Sequence, residues 1–335
     1  MSIKIKSTFI KNKNKLKTSK TSKTSKTLKT SKTSKTSKTS KTSKTSKTSK
    51  TSKTKSKFIN ILSYNISWES MTGSVSDWTL CSNNTNKNNP KHYSVCVSNI
   101  ANVINNNINN NNDNYNSLDF ITLQEATNYD KLIEQSPVLK KMKYETNMSV
   151  LDTIITFWNP NYTLLYTIKG EFEKGRPWMA TLFTNGICVI NVHMGHYTKD
   201  IKYYKLEVLL FSIKDHIMKK GDSKIVKRYI ISGDFNYNIK EFGKKENNNK
   251  IKNKSKNKSK NKSNYNNSKI NNKYSLFING TKFYYHSKHI LTCCIKRMTH
   301  FDHVIDTLDA PVNIQIPKVN YMASDHKPII VTLVK

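Results

Sequence analysis

An α/β (α+β) sandwich of mixed β-sheets is what this sequence predicts, on three observations. Short β-forming runs outnumber helical stretches across residues 58–335. Strands and helices alternate irregularly, with several strands in succession, which argues against strict β-α repeats. The run Tyr229-Ile230-Ile231 is apolar without alternation, as in a strand covered on both faces.

The chain has 335 residues and a formal net charge of +35. That charge is unevenly spread. Residues 1–57 carry 20 lysines and no acid, and residues 240–273 carry 12 lysines and two glutamates. The remainder is close to balanced, so total charge alone does not argue for nucleic acid. Residues 1–57 repeat Thr-Ser-Lys and offer almost nothing to bury, so this tail is expected to be disordered. It is either a polycationic arm drawn to nucleic acid by counterion release or a repeat expansion. The Lys/Asn-rich stretch 240–273 is expected to be a disordered loop within the domain 58–335. Closure entropy grows slowly enough with length to tolerate it.

Five cysteines, Cys81, Cys96, Cys188, Cys293 and Cys294, show no zinc-finger spacing. Cys188 lies in an apolar run and reads as a small core residue. A reduced, intracellular setting is expected, because no N-terminal apolar stretch resembles a signal peptide. No run approaches the ~18 apolar residues of a membrane span.

In chain order, Phe58–Asn65 reads as the first strand and residues 68–90 as a polar loop. Tyr93, Val97, Ile100, Ile104 and Ile108 recur at helical spacing. Residues 118–124 read as a strand and 130–143 as a short helix that Pro137 interrupts. Strands follow near 153–158, 163–168, 179–184 and 187–192. Tyr203, Leu206, Leu209, Leu210, Ile213 and Ile217 mark a helix over 201–220, which Gly221 stops. The strand through Ile231 comes next, and short strands return after the insert, including 301–305 and 329–334.

Polar residues punctuate the ends of these strands. Gly233 ends the apolar run and is followed by Asp234 and Asn236. Taken alone this is also a turn that closes a strand. At the carboxyl end of a buried strand it is equally where open α/β sheets gather ligands. Asp234 can orient or deprotonate a water, and Asn236 can hold an oxygen without adding charge. Asn65, Gln124-Glu125 and Asn191-Val192-His193 close other runs in the same way. Asp302 sits inside Phe301-Asp302-His303-Val304-Ile305, and Ser324-Asp325-His326 precedes the last strand. Glu125 suits a hard cation such as Mg²⁺ or Mn²⁺. Arg176 is either a phosphate clamp or a loop arginine stacked on Trp178. His196 is a weaker candidate, and His303 reads as a core histidine.

These residues, in this order, resemble the endonuclease/exonuclease/phosphatase superfamily, the deoxyribonuclease I-like fold, over residues 58–335. The resemblance implies two packed mixed sheets flanked by helices, a four-layer sandwich. It implies a Mg²⁺- or Mn²⁺-dependent phosphodiesterase, most simply a nuclease on DNA or RNA, acting as a monomer. It makes Glu125, Asp325 and Asn65 the metal-binding group. It casts Asp234, Asn236, His326, Asp302 and His193 as catalytic, with Asp302 orienting His326. A phosphatase of a small phosphorylated molecule or lipid head group, and a non-catalytic nucleic-acid-binding protein, are the alternatives. One departure stands out. Several branches place an acid two residues after the first Asn, where this chain has Ser67, and Glu69 is the nearest substitute.

Overall fold

The computed structural model describes residues 57–72, 92–109, 118–238, 275–286, 291–294, 299–308, 311–317 and 323–335. The expectations for the Thr-Ser-Lys tail and for the 240–273 insert lie outside these residues, apart from Lys57.

Thirteen strands and four α-helices are assigned among the described residues. In order they are β1 (Phe58–Asn65), α1 (Trp68–Thr72), α2 (His92–Asn109), β2 (Phe120–Gln124), α3 (Tyr129–Gln135), β3 (Lys143–Met148), β4 (Thr153–Trp158) and β5 (Leu164–Glu173). Then come β6 (Arg176–Phe183), β7 (Ile187–His193), α4 (Lys199–Lys219), β8 (Arg228–Asp234), β9 (Ser275–Ile278) and β10 (Thr281–Tyr285). The last three are β11 (Asp302–Asp306), β12 (Pro311–Gln315) and β13 (Ile329–Val334).

The strands form two mixed sheets. One has the order β12-β13-β1-β2-β4-β3, the other β5-β6-β7-β8-β11-β10-β9. In each, a single parallel pair lies near the middle, β1 with β2 and β7 with β8. Their carboxyl ends therefore point the same way within each sheet, where side chains can converge.

Three apolar layers hold the sandwich. Between the sheets, Ile59, Ile61, Phe120 and Val331 meet Phe183, Val189, Ile230 and Val304. On one outer face α2 buries Val97, Ile100, Ala101 and Ile104 against Tyr64, Ile121 and Phe157. On the other, α4 buries Leu206, Leu209, Leu210, Ile213 and Ile217 against Ile190, Ile231 and Ile305. Full burial of each such side chain contributes roughly 1.5–3 kcal/mol. The sandwich of two helix-flanked sheets is the predicted fold.

Some elements differ from the sequence reading. Residues 130–143 do not form one helix. α3 ends at Gln135, where Ser136 is extended and its N–H bonds back to Leu132 and Ile133. After Pro137 only a single 3₁₀ turn, Leu139–Lys141, forms before β3. β3 is polar and half-exposed, so it carried no apolar signal, yet it pairs along its whole length with β4. β5 and β6 are longer than expected and form a hairpin that reaches the site. The supposed loop after Asn65 begins with the short helix α1.

A buried ion pair closes the opposite end of the second sheet. Arg228 and Asp306 begin β8 and end β11, and Arg228 Nε donates to Asp306 Oδ1 at 2.8 Å. Its other nitrogens donate to Asp306 and to the carbonyl of Val334. Burial alone would raise the Asp306 carboxyl, but its bonds to Arg228, with His286 close by at 3.6 Å, outweigh that and hold it low. A lowered carboxyl contributes stability above its unfolded pKa and loses it as pH falls through its folded one. Stability should therefore erode as the solution is acidified below about pH 4, and Asp306→Asn should flatten that slope. Arg228→Leu should cost about 3–5 kcal/mol in urea unfolding, since it strands a buried carboxylate. Replacing both residues with leucine should recover most of the loss, and an unchanged Arg228→Leu midpoint would contradict this role.

Candidate active site

The functional side chains stand in rows set by strand register. In the second sheet His193 pairs with Asp234 across β7 and β8, and Asp234 pairs with Asp302 across β8 and β11. Three adjacent strands thus present His193, Asp234 and Asp302 side by side. Gly233 makes the approach possible. At φ +146° a Cβ there would lie 2.0 Å from the carbonyl oxygen of Val192. In the first sheet Asn65 pairs with Gln124, and Glu125 follows at φ +57°, in the left-handed region.

Asn65 joins the two rows. Its Nδ2 donates to Glu125 Oε1 and to Asp234 Oδ2, each at 3.1 Å. Its Oδ1 accepts the N–H of Ser67 at 3.0 Å. Ser67 Oγ in turn donates to Glu69 Oε2 at 2.9 Å, so Glu69 is carried into the pocket wall. The carboxylate missing at Ser67 is therefore present nearby, one hydroxyl removed. The N–H of Trp68, opening α1, donates to Glu125 Oε2.

Asp234 lies between two Asp–His pairs. On one side His326 Nδ1 is 2.8 Å from Asp302 Oδ2, and its Nε2 is 3.8 Å from Asp234 Oδ2. On the other, His193 Nδ1 is 2.6 Å from Asp152 Oδ2, and its Nε2 is 3.7 Å from Asp234 Oδ2 and from Glu125 Oε1. Asp152 also accepts the N–H of Glu125 at 3.0 Å. Arg176 Nη1 approaches His193 Nε2 at 2.7 Å. A guanidinium only donates, so in this contact Nε2 accepts and Nδ1–H faces Asp152.

The charges follow from these partners. Burial favours neutral Asp234, but His326 and His193 and the N–H of Asn236 outweigh it and lower the carboxyl. Burial opposes imidazolium at His326, but Asp302 first and then Asp234 and Asp325 hold its pKa well above the ordinary value. At His193, burial is likewise outweighed by Asp152, Asp234 and Glu125. Asp302 and Glu125 are both raised, chiefly by burial.

The remaining residues find places around this centre. Asn236, at φ +48°, donates its N–H to Asp234 Oδ1 at 2.6 Å and its Nδ2 to the carbonyl of Met194 at 2.8 Å. Ser324 Oγ donates to the Asn65 carbonyl at 2.8 Å and accepts the N–H of His326, pinning the Ser324-Asp325-His326 segment to β1. Asp325 and Arg176 border a pocket of about 360 Å³ together with Glu125, His193, Asp234 and His326. His303 is instead a buried histidine that bonds Tyr237 O and the Tyr285 hydroxyl. His196 also borders the pocket, edge-on to Phe301.

Four participants were missed from sequence. Asp152 sits on a turn, 41 positions from its partner His193, and no spacing rule links them. Lys202, on α4, is buried and donates to the carbonyls of Phe235 and Asn236. Burial lowers its pKa to about 8. It is a polar residue on an exposed-looking helical turn, and only the fold reveals that it braces the Asp234–Asn236 loop. Cys293 and Cys294 also border the pocket.

The donor set suits a hard divalent cation. Glu125 and Asp234 are two acids that share one amide donor, and the Asp325 and Glu69 carboxylates border the same pocket.

No protein-family model matches the chain. An uncharacterized protein of Acanthamoeba polyphaga mimivirus is 30% identical over 291 residues, covering 82% of this chain and 50% of that one. The chain thus spans about half the length of the curated relative it matches. An endonuclease/exonuclease/phosphatase from Bacteroides vulgatus superposes with TM-score 0.52 at 11% identity, covering 83% of this chain and 99% of its own. An endonuclease/exonuclease/phosphatase family protein from Bacteroides thetaiotaomicron gives 0.52 at 14% identity, with 83% and 95% covered. ANGEL2, described as a 2',3'-cyclic phosphatase, gives 0.51 at 15% identity, with 82% and 94% covered.

The Asp302–His326 pair makes a measurable statement. A raised histidine pKa adds stability that is full below the unfolded value and is lost as pH rises through the folded one. In metal-free protein, ring-nitrogen NMR should show His326 titrating above the ordinary histidine range. Asp302→Asn should move that titration down, and an unmoved titration would show that Asp302 does not set it.

Proposed function

We propose, for a chain that has the endonuclease/exonuclease/phosphatase fold, a divalent-metal-dependent phosphodiesterase whose substrate is nucleic acid. The observation that carries this reading is the register row His193, Asp234, Asp302, with His326 clasped by Asp302 and Asn65 tying the row to Glu125. The lysine-rich segments 1–57 and 240–273, rather than the nearly balanced remainder, favour a polyanion as substrate.

Each residue has work that its surroundings permit. Asp234 stays ionised and accepts a proton from the attacking water, or orients it. Asn236, fixed to Asp234 and Met194, limits where that water can sit. His326, held as imidazolium by Asp302, donates through Nε2 to a phosphoryl oxygen as charge gathers there. His193 is presented from the other side by Asp152, and with Arg176 turned to the substrate and Nε2 protonated it donates to the same oxygen or its neighbour. Lys174, on the turn between β5 and β6, and Arg176, which begins β6, border the pocket and meet the flanking phosphate. Lys202 keeps the Asp234–Asn236 loop from moving. Glu125, with Asn65 beside it and Asp325 across the pocket, would hold Mg²⁺ or Mn²⁺, which supplies neutralisation of charge on the phosphate.

EDTA should abolish hydrolysis, and Mg²⁺ or Mn²⁺ should restore it. Glu125→Gln should raise the metal concentration needed while leaving the circular dichroism spectrum intact. Asp234→Asn and His326→Ala should each lower kcat by roughly 10² or more with little change in substrate binding. Because they act as one unit, the double variant should be scarcely worse than the poorer single one. The assay panel should hold single-stranded and duplex DNA, RNA, and inositol phosphates. Turnover confined to the small phosphates would replace nucleic acid with a small-molecule substrate. Near-normal turnover by both single variants on every substrate would remove the site assignment.

A further inference from the structure

The pocket wall carries a cluster that phosphodiester hydrolysis leaves unused. Cys293 and Cys294 are adjacent in sequence and joined as a disulfide. Backbone pairing places them on the catalytic segment. Cys293 bridges both Thr299 and His326, and the Cys294 N–H donates to the Asp325 carbonyl at 2.9 Å. Cys293 Sγ lies 3.2 Å from His326 Nε2. One donor atom from each of Cys293, Cys294, Asp325 and His326 falls within 4.8 Å of all the others.

Two sulfurs, an imidazole nitrogen and a carboxylate oxygen form a donor set for zinc rather than magnesium. His326 is also already oriented as a zinc ligand is. Its Nδ1 is held by the Asp302 carboxylate, which leaves Nε2 aimed at sulfur. The sequence reading discounted zinc because the cysteines lack finger spacing. The strand-like bridge between Cys293 and His326 supplies the proximity that spacing did not.

We propose that Cys293 and Cys294, once reduced, join Asp325 and His326 in a binding site for a thiophilic divalent cation of the zinc class. The bound ion shuts the pocket by occupying Nε2 of His326. The inhibitory half rests on the hydrolase reading, and the binding half does not. Opening the site needs a dithiol reductant. It delivers two electrons and two protons, the Cys293–Cys294 bond breaks to two thiols, and the reductant closes to its own disulfide. Zinc then displaces the two thiol protons and the Nε2 proton of the His326 imidazolium to solvent. Magnesium, a hard ion, does not compete for the sulfurs.

The test uses the full chain, reduced with a dithiol and desalted without oxygen, and Co²⁺ as a spectroscopic substitute for zinc. Reduced wild type should develop sulfur-to-cobalt charge-transfer absorbance and tetrahedral visible bands. Oxidised protein and the Cys293→Ser/Cys294→Ser variant should not. If that double variant is unfolded by circular dichroism, Cys294→Ser alone decides, with affinity expected to fall roughly 10-fold or more. In a parallel arm, Zn²⁺ added over excess Mg²⁺ should inhibit reduced wild type at lower concentration than Cys294→Ser, each scaled to its own uninhibited rate. Absence of sulfur-ligated cobalt in reduced wild type, its persistence in the double serine variant, or undiminished cobalt affinity in Cys294→Ser overturns the site. Cobalt binding without zinc inhibition overturns the competition for His326 and keeps the site. A protein that hydrolyses nothing but shows the cobalt spectrum sinks the hydrolase reading alone.

Discussion

One carboxamide nitrogen holds two carboxylates that come from different sheets. Asn65 Nδ2 donates to Glu125 and to Asp234, and the rest of the site is arranged around that contact. Two ionised carboxylates in a low-dielectric interior repel strongly, so they approach only with donors between them. The sandwich must therefore bring its two sheets together in one fixed alignment. Polar pairs beneath the site keep that alignment. Gln124 Nε2 donates to Asn191 Oδ1 at 2.8 Å, and the hydroxyls of Thr122 and Ser232 meet at 2.7 Å. Asn191 Nδ2 donates to the carbonyls of Leu123 and Ile155 across the same gap. Asn191, read from sequence as a companion of His193, acts here as a staple between sheets.

Around this clasp the charges alternate. Asp152, His193, Asp234, His326 and Asp302 run in a chain in which each acid neighbours a histidine. Such a chain keeps Asp234 ionised and favours the protonated form of the two imidazoles beside it. Lys202 completes the support from below by satisfying carbonyls that the sharp turn after β8 would leave bare. The stability of the loop and the chemistry of the pocket thus depend on the same few hydrogen bonds.

Much of this was legible in the sequence because strands advertise their ends. An apolar run that stops at Asn65, Glu125, His193 or Asp234 states both where a strand finishes and which polar group it delivers. The order of those endings then carried the fold. What stayed hidden has physical reasons. β3 is polar, since a strand at the sheet edge needs few buried residues. Asp152 lies on the turn before β4 of the first sheet, and its partner His193 ends β7 of the second, so only the packing of the two sheets brings them together. Lys202 occupies a helix position whose burial depends on the loop above it. Cys293 and Cys294 meet His326 through a bridge between segments 33 positions apart, which no local spacing encodes.

The Asn65 clasp offers the most direct measurement. Asn65→Leu keeps the volume of the side chain and removes its donors, so it leaves Glu125 and Asp234 facing each other without a shared partner. The quantity to compare is phosphodiester turnover in Mg²⁺ by wild type and Asn65→Leu, at matched folded fraction. Turnover lower by roughly 10² or more is expected, in the range for loss of a preorganised electrostatic group. Turnover equal to wild type in a folded Asn65→Leu protein would contradict a site organised around that contact.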